Sequence, residues 1–397
     1  MSTATELDPG PPTPITKAER SLAPDIARGG MLLFIALANV PLHLWGMGFD
    51  KYGHNTGQSG ADHIAHFIEQ LVIADRSRPM FAILYGFGMA VMASRMFARG
   101  VEAKGVRKIL RRRSLWLIVF GVVHATFLFF GDILAPYGAT GLIALFFVHL
   151  STPALKKWLL GTTAFVLLVT TPAFALLYTS EGGGSPAPEN LPPYVAQLVT
   201  GPVISLVGMV FMVVLGAFVP LLLVGILLQR ADWLNHPEEH LPQLKRVFLS
   251  GMAVNVASSL PVALVALGAW HPPHVVFTVV TGLSIAGGMY AGLGYICGFA
   301  LLAHKLRGYG RRGVPGALAA VGERSLTSYL LQSVIMAPLL TPWGFGFGED
   351  LGYLGAFTVA FSAWLITVAV AVALDKAGKR GPFEVLLRRL TYGPKRA

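Results

Sequence analysis

The sequence predicts an all-α fold, a polytopic integral membrane helical bundle of about ten transmembrane helices with both termini cytoplasmic. Three observations predict it. Of 397 residues, 54% are hydrophobic and only 13% charged, against about 25% charged in an ordinary soluble domain. Several apolar runs reach roughly 20 residues, enough to cross about 30 Å of hydrocarbon as a helix. The basic residues also collect in alternate loops.

The first run covers about residues 29–48 and is too long and too poorly flanked for a cleaved signal peptide. A short amphipathic helix is expected at about 61–74, outside the membrane. The second span falls at about 79–97, and residues 114–150 form a two-span hairpin. Later spans fall at about 155–178, 202–228, 247–267, 275–303, 316–339 and 354–374. Residues 181–186 (Glu-Gly-Gly-Gly-Ser-Pro) read as a flexible loop. Residues 1–20 read as a disordered tail, 21–374 as the transmembrane domain and 375–397 as a basic cytoplasmic tail. In the eighth span, Gly288, Gly292, Gly294 and Gly298 give faces that permit close helix packing.

With the N-terminus inside, 31 Lys and Arg residues distribute so that all but Lys51, Arg76, Arg78 and Arg324 fall in cytoplasmic segments. That satisfies the positive-inside rule at every turn. Lys51, Arg76 and Arg78 lie outside, and Arg324 falls within the ninth span. The net charge of +11 is therefore a topology signal aided by anionic lipid, and a nucleic-acid partner is not expected. The single cysteine, Cys297, sits in an apolar run, which excludes an intramolecular disulfide and a thiolate metal site.

Ionisable groups inside hydrocarbon are costly and mark candidate sites. His124 lies ten residues past Ser114, about 15 Å deep at 1.5 Å per residue. Asp132 follows about 12 Å further on, at the outer mouth. Eight residues apart, the two point about 80° apart on a continuous helix, so a direct bond requires a break near Gly131 or a bridging water. The plainer reading makes His124 a packed imidazole and Asp132 the cap of the next helix. In the first span Arg28 and Asn39 share a face, with Asn39 at the depth of His124 and His43 one turn beyond; interhelical hydrogen bonding is the plainer role for Asn39 and His43. Glu323 and Arg324 point to different faces and each needs its own partner, so structural ion pairs are the plainer reading. The outer segment adds His54, His63, His66, Glu69 and Asp75, and a metal is not expected there. No phosphate-binding glycine loop, GxSxG, HExxH or CxxC motif is present. Any catalysis must use intramembrane His, Asp, Glu and Arg.

Five blocks of the sequence resemble the YeiB-like family of bacterial multi-span proteins, a domain of unknown function. They are Asp25-Ile26-Ala27-Arg28-Gly29 running into Asn39; residues 80–88, MFAILYGFG; Arg112-Arg113 with Gly121, His124, residues 131–134 and Tyr137; residues 322–333, GERSLTSYLLQS; and Gly381-Pro382 with Glu384, Arg388 and residues 391–393. The family is similar to a transmembrane acyltransferase superfamily, in one branch of which an Arg in the first span is followed eleven residues later by a His. Here Arg28 fits and the second position is Asn39, leaving His124 or His43 as the base. The resemblance implies acyl transfer from a cytoplasmic acyl-CoA, with no permanently bound cofactor, to a hydroxyl or amine of an extracytoplasmic or lipid-linked acceptor, whether glycan, lipid or small molecule. It implies residence in the bacterial cytoplasmic membrane. In that reading His124 is the base, Asp132 steers it, Asn39 meets the oxyanion, and Arg28, Arg112, Arg113 and Arg324 hold coenzyme A phosphates. Transport of a small solute or lipid intermediate, and a non-catalytic membrane role, remain the alternatives. Oligomeric state is not encoded in any feature of the sequence.

Overall fold

A computed structural model describes residues 22–46, 48, 50–54, 58–180, 194–215 and 217–393. The polar 1–20 segment and the 181–186 loop lie outside them. Every regular element among the described residues is helical. Helix α1 (Ala23–Asn39) ends in a 3₁₀ turn, Val40–His43. Helix α2 (Gly60–Ile68) is capped by Ser59 and Asp62 and passes into a π turn, Glu69–Ile73. Then follow α3 (Ser77–Ala98), α4 (Ala103–Phe127), α5 (Leu134–Phe147), α6 (Thr152–Phe165) and, past a π turn, α7 (Thr171–Ser180). The second half holds α8 (Tyr194–Leu215), α9 (Phe218–Arg230), α10 (Leu241–Ala266), α11 (His274–Lys305), α12 (Gly313–Glu323), α13 (Ser325–Leu340), α14 (Tyr353–Lys376) and α15 (Pro382–Tyr392).

Among the described residues, seven helical stretches are long and apolar enough to cross a membrane, and α5, α9 and α13 are shorter apolar helices. This is a polytopic helical membrane protein. Lipid gives helices little hydrophobic reason to associate, so contact area and small residues do the work. Helix α3 packs on α9 where Gly86 meets the carbonyl of Leu222 and Gly225 meets that of Ile83. Helix α1 packs on α12 where Gly29 faces the Leu318 carbonyl and Gly322 that of Asp25. The glycines of α11 do what their spacing predicts: Gly294 lies against Gly251 of α10, and Gly288 and Gly292 admit the turn from Asp75 to Pro79. Ile26, Met31, Leu32, Met80, Ile83, Phe87 and Phe218 belong to the resulting core.

Two expected spans resolve differently. The 202–228 run is interrupted at Ala217, whose φ of +60° lies in the left-handed region. Helix α8 does not extend α9. Near its start, Tyr194 and Gln197 donate to the carbonyls of Phe127 and Thr126. Near its end, Met212 meets Arg78 and Phe211 packs on Phe174. Both ends of α8 thus touch the face opposite the basic one, while α9 descends beside α3. The 316–339 run breaks at Arg324 into α12 and α13. Arg324 therefore opens α13 instead of lying within a span, and bonds Asp375 and the Lys379 carbonyl at the basic face. Within the expected C-terminal tail, residues 382–392 fold back as α15 against α4 and α13. Both described ends of the chain lie on this same face, since Asp25 meets Gly322 and Leu390 meets Arg112.

Candidate functional site

His124 lies in the last turn of α4, and its carbonyl accepts from both Leu128 and Phe129 as the helix ends. Residues 128–133 leave helical geometry before α5 begins. That break supplies what the eight-residue spacing requires. His124 Nδ1 and Asp132 Oδ1 lie 2.8 Å apart, with side chains 1% and 2% exposed. The other carboxylate oxygen accepts from Ala135 N–H at 2.9 Å, so Asp132 orients the imidazole and caps α5 together. Gly121 makes room for this: a Cβ there would overlap Asp132 Oδ2 and the Ala135 nitrogen.

With Nδ1–H given to the carboxylate, the Nε2 lone pair of His124 is left bare, and among the described residues it has no hydrogen-bond partner. Tyr329 of α13 stands beside it, ring centroids 5.1 Å apart. The Tyr329 hydroxyl donates to Asp132 Oδ1 at 3.5 Å and accepts from Ile133 N–H at 3.4 Å, both long. On the other side Phe129 meets His124 edge-on and stacks on His43 at 4.8 Å. His43 Nε2 is likewise buried without a partner.

A cavity of about 330 Å³ opens towards the basic face. Its rim carries Arg28, Arg95, Arg113 and Glu384; its body is apolar, with Met31, Phe87 and Met92; Tyr137 and Tyr329 close its far end. Tyr329 belongs to the cavity wall and to the His124 cluster, and so joins them. Beside the rim a more polar pocket of about 300 Å³ shares Val91, Arg95 and Asn235 with the cavity and adds Ser94, Gln229 and His236.

The residues singled out from sequence separate cleanly. His124 and Asp132 are brought together, with His43 one aromatic ring away. Arg28 and Arg113 line the cavity, Arg28 paired with Asp25 at 3.1 Å. Arg112 turns away and donates to the Leu390 carbonyl at 2.8 Å. Arg324, 3% exposed, is occupied by Asp375, Lys379, Ala320 and Glu323. It braces the α12–α13 break and does not line the cavity. Asn39 is half-buried at the end of α1, and neither Asn39 nor His124 forms part of the cavity lining. The outer histidines are engaged elsewhere: His66 stacks on Tyr353, and His63 meets the Ala266 carbonyl. Tyr329, Arg95 and Glu384 were not singled out as site residues, because their relation to His124 and the rim arises only from packing between distant helices.

A family model described as "Protein of unknown function (DUF418)" matches residues 228–394. That stretch includes Arg324, Tyr329 and Glu384. Over that stretch the chain is similar to DUF418 proteins. Over 401 residues it is 27% identical to the uncharacterized protein YeiB of Escherichia coli, covering 94% of this chain and 96% of YeiB. Over 358 residues it is 24% identical to the uncharacterized protein YxaH of Bacillus subtilis, covering 84% of this chain and 83% of YxaH. The similarity to YeiB, at 94% of this chain, reaches the N-terminal half, where α4 and α5 carry His124 and Asp132.

Proposed function

We propose that this protein is a membrane-embedded acyltransferase of the bacterial cytoplasmic membrane, moving an acyl group from cytoplasmic acyl-CoA to a hydroxyl or amine. The observation that carries the reading is the bare, buried Nε2 of His124, held by Asp132 and adjoining the tyrosine that ends a basic-rimmed cavity. An imidazole whose Nδ1–H is fixed by a carboxylate has the arrangement of a general base. The positive-inside rule puts the rim in the cytoplasm. There Arg28, Arg95 and Arg113 suit the phosphates of the donor, and the apolar body suits its chain.

In the step proposed, His124 Nε2 takes the acceptor's proton as its oxygen or nitrogen bonds to the thioester carbonyl carbon. The carbon–sulfur bond then breaks, and the leaving thiolate recovers that proton, giving acyl-acceptor and free thiol. Tyr329, whose ring stands beside His124, is a neutral donor for the oxyanion, and the depth of Asn39 along α1 makes it a second candidate. The test is transfer of labelled acyl-CoA by membranes carrying wild type, His124→Gln or His124→Ala. Label movement should fall at least a hundred-fold in both variants. Equal transfer removes the role of His124. Solute flux through proteoliposomes lacking any thioester would assign the cavity to transport.

A further inference from the structure

We propose that the outer edge of α4 and α15 on the basic face binds an anionic phospholipid, and that the bound lipid braces one wall of the cavity. The inference stands apart from the acyl-transfer reading and needs only the packing of α15. That helix is strongly sided. Leu387 and Thr391 are buried against the bundle, while Phe383 and Leu386 are 37% and 42% exposed. Phe383 lies near Phe120 of α4, and the Leu390 carbonyl meets Arg112, so α15 runs beside α4 over that stretch.

The neighbouring stripe of α4 changes character along its length. Lys108, Arg111, Leu115, Val119 and Val123 follow at three- and four-residue steps, share one face and are all exposed. Cations give way to aliphatic side chains between Arg111 and Leu115. On α15 the corresponding change runs from exposed Arg389 to Leu386 and Phe383. A cationic band bordering an apolar band is how an interfacial helix meets lipid head groups and tails.

The sign of the charge selects the lipid. Residues 103–131 contain no Asp or Glu. The one acid of α15, Glu384, is taken up by α13, where it accepts from Leu326 N–H, Thr327 N–H and the Thr327 hydroxyl at 2.8, 3.0 and 2.5 Å. The cations on this edge outnumber the acids there, which suits an anionic phosphodiester better than a zwitterionic one. Acyl chains would lie along Leu115, Val119, Phe383 and Leu386. The same helix contributes Glu384 and Leu387 to the cavity, and its clamp holds the start of α13, the helix that carries Tyr329. Lipid on the outer side of α15 therefore presses on the wall of the site.

The test uses the full chain, delipidated in detergent and offered equal phosphatidylglycerol and phosphatidylcholine before native mass spectrometry. Wild type should retain phosphatidylglycerol preferentially. The variant Lys108→Gln/Arg111→Gln/Arg389→Gln should lose that preference roughly ten-fold or more. Lys156→Gln/Lys157→Gln, which removes exposed charge from α6 on the same face, should keep it. Equal losses in the two variants, or no preference in wild type, would show only diffuse attraction and overturn the site. A spin label at Leu386→Cys, with native Cys297 buried, should meet oxygen more readily than a water-soluble nickel reagent. The reverse order overturns the placement of α15 in the bilayer interface. Trypsin should cut after Lys379 and Arg380 more slowly in phosphatidylglycerol nanodiscs than in phosphatidylcholine ones, and equal rates overturn the bracing.

Discussion

Asp132→Asn separates what the carboxylate does for the fold from what it does for His124. The carboxylate has two acceptors in use, one for His124 Nδ1 and one for Ala135 N–H. An amide has one oxygen. If that oxygen stays with His124, the amide NH₂ faces another N–H and the α5 cap is lost, at a cost of about 1 kcal/mol plus the donor clash. If it turns to Ala135, the cap survives and the NH₂ faces His124 Nδ1, which must then be the unprotonated nitrogen. The second arrangement keeps both bonds. It loses charge assistance and the long Tyr329 hydroxyl bond to Oδ1, so the stability loss is about 1–3 kcal/mol. Its consequence for His124 is severe, because the ring proton moves to Nε2 and the bare lone pair disappears. Transfer should therefore fall about 10²–10⁴-fold while the thermal midpoint drops modestly. Asp132→Ala leaves both partners unpaired and should cost about 3–5 kcal/mol. Measuring label transfer and unfolding in parallel, with ¹⁵N histidine spectra to read the tautomer, checks each step. If Asp132→Asn transfers label within about two-fold of wild type, or if activity simply follows stability across the Asn and Ala variants, the orienting role is refuted.

Gly121→Ala should act like Asp132→Ala on transfer, since its Cβ overlaps Asp132 Oδ2 and the Ala135 backbone. Gly138→Ala, which crowds the Ser114 carbonyl in the same hairpin, should cost a similar 1–3 kcal/mol with much smaller loss of transfer, read by the same two assays. Glu384→Ala removes three hydrogen bonds from the start of α13 and should lower stability by about 1–3 kcal/mol while weakening acyl-CoA binding, as seen by thermal shift with and without ligand. Arg113→Gln should raise the KM for acyl-CoA and leave kcat nearly unchanged. Arg324→Gln should instead lower the thermal midpoint by the equivalent of about 1–3 kcal/mol, because it removes the buried guanidinium that bonds the Ala320 and Lys379 carbonyls and meets half-buried Asp375 and Glu323.

How much of this was legible in the sequence depended on whether the physics was local. Composition and loop charge specified a helical membrane bundle, because hydrocarbon thickness sets run length whatever the packing. The His124–Asp132 pair was legible as a geometric condition: eight residues on an unbroken helix could not bond, and the break at residues 128–133 meets that condition. The division of 202–228 into α8 and α9 was hidden for the opposite reason. In lipid both faces of a helix are apolar, so hydropathy carries no sign of where a run turns at Ala217.

Arg324 shows how such a miss propagates into chemistry. Depth counted from the start of an apolar run holds only while the run is one helix. Because 316–339 is two, Arg324 comes to the basic face, where Asp375 and the Lys379 carbonyl are within reach and the guanidinium is consumed by the fold. The same break lets α13 start beside Glu384 of α15 and brings Tyr329 up to Asp132. One interruption thus removes an arginine from the candidate site and supplies a tyrosine to it. Tyr329→Phe is the substitution that isolates the second half of that exchange. Its two hydroxyl contacts are long, so stability should change by no more than about 0.5–1.5 kcal/mol. A ring that only fills space beside His124 would leave transfer unaltered, whereas a hydroxyl that supports Asp132 should cost about ten-fold in kcat with little change in KM.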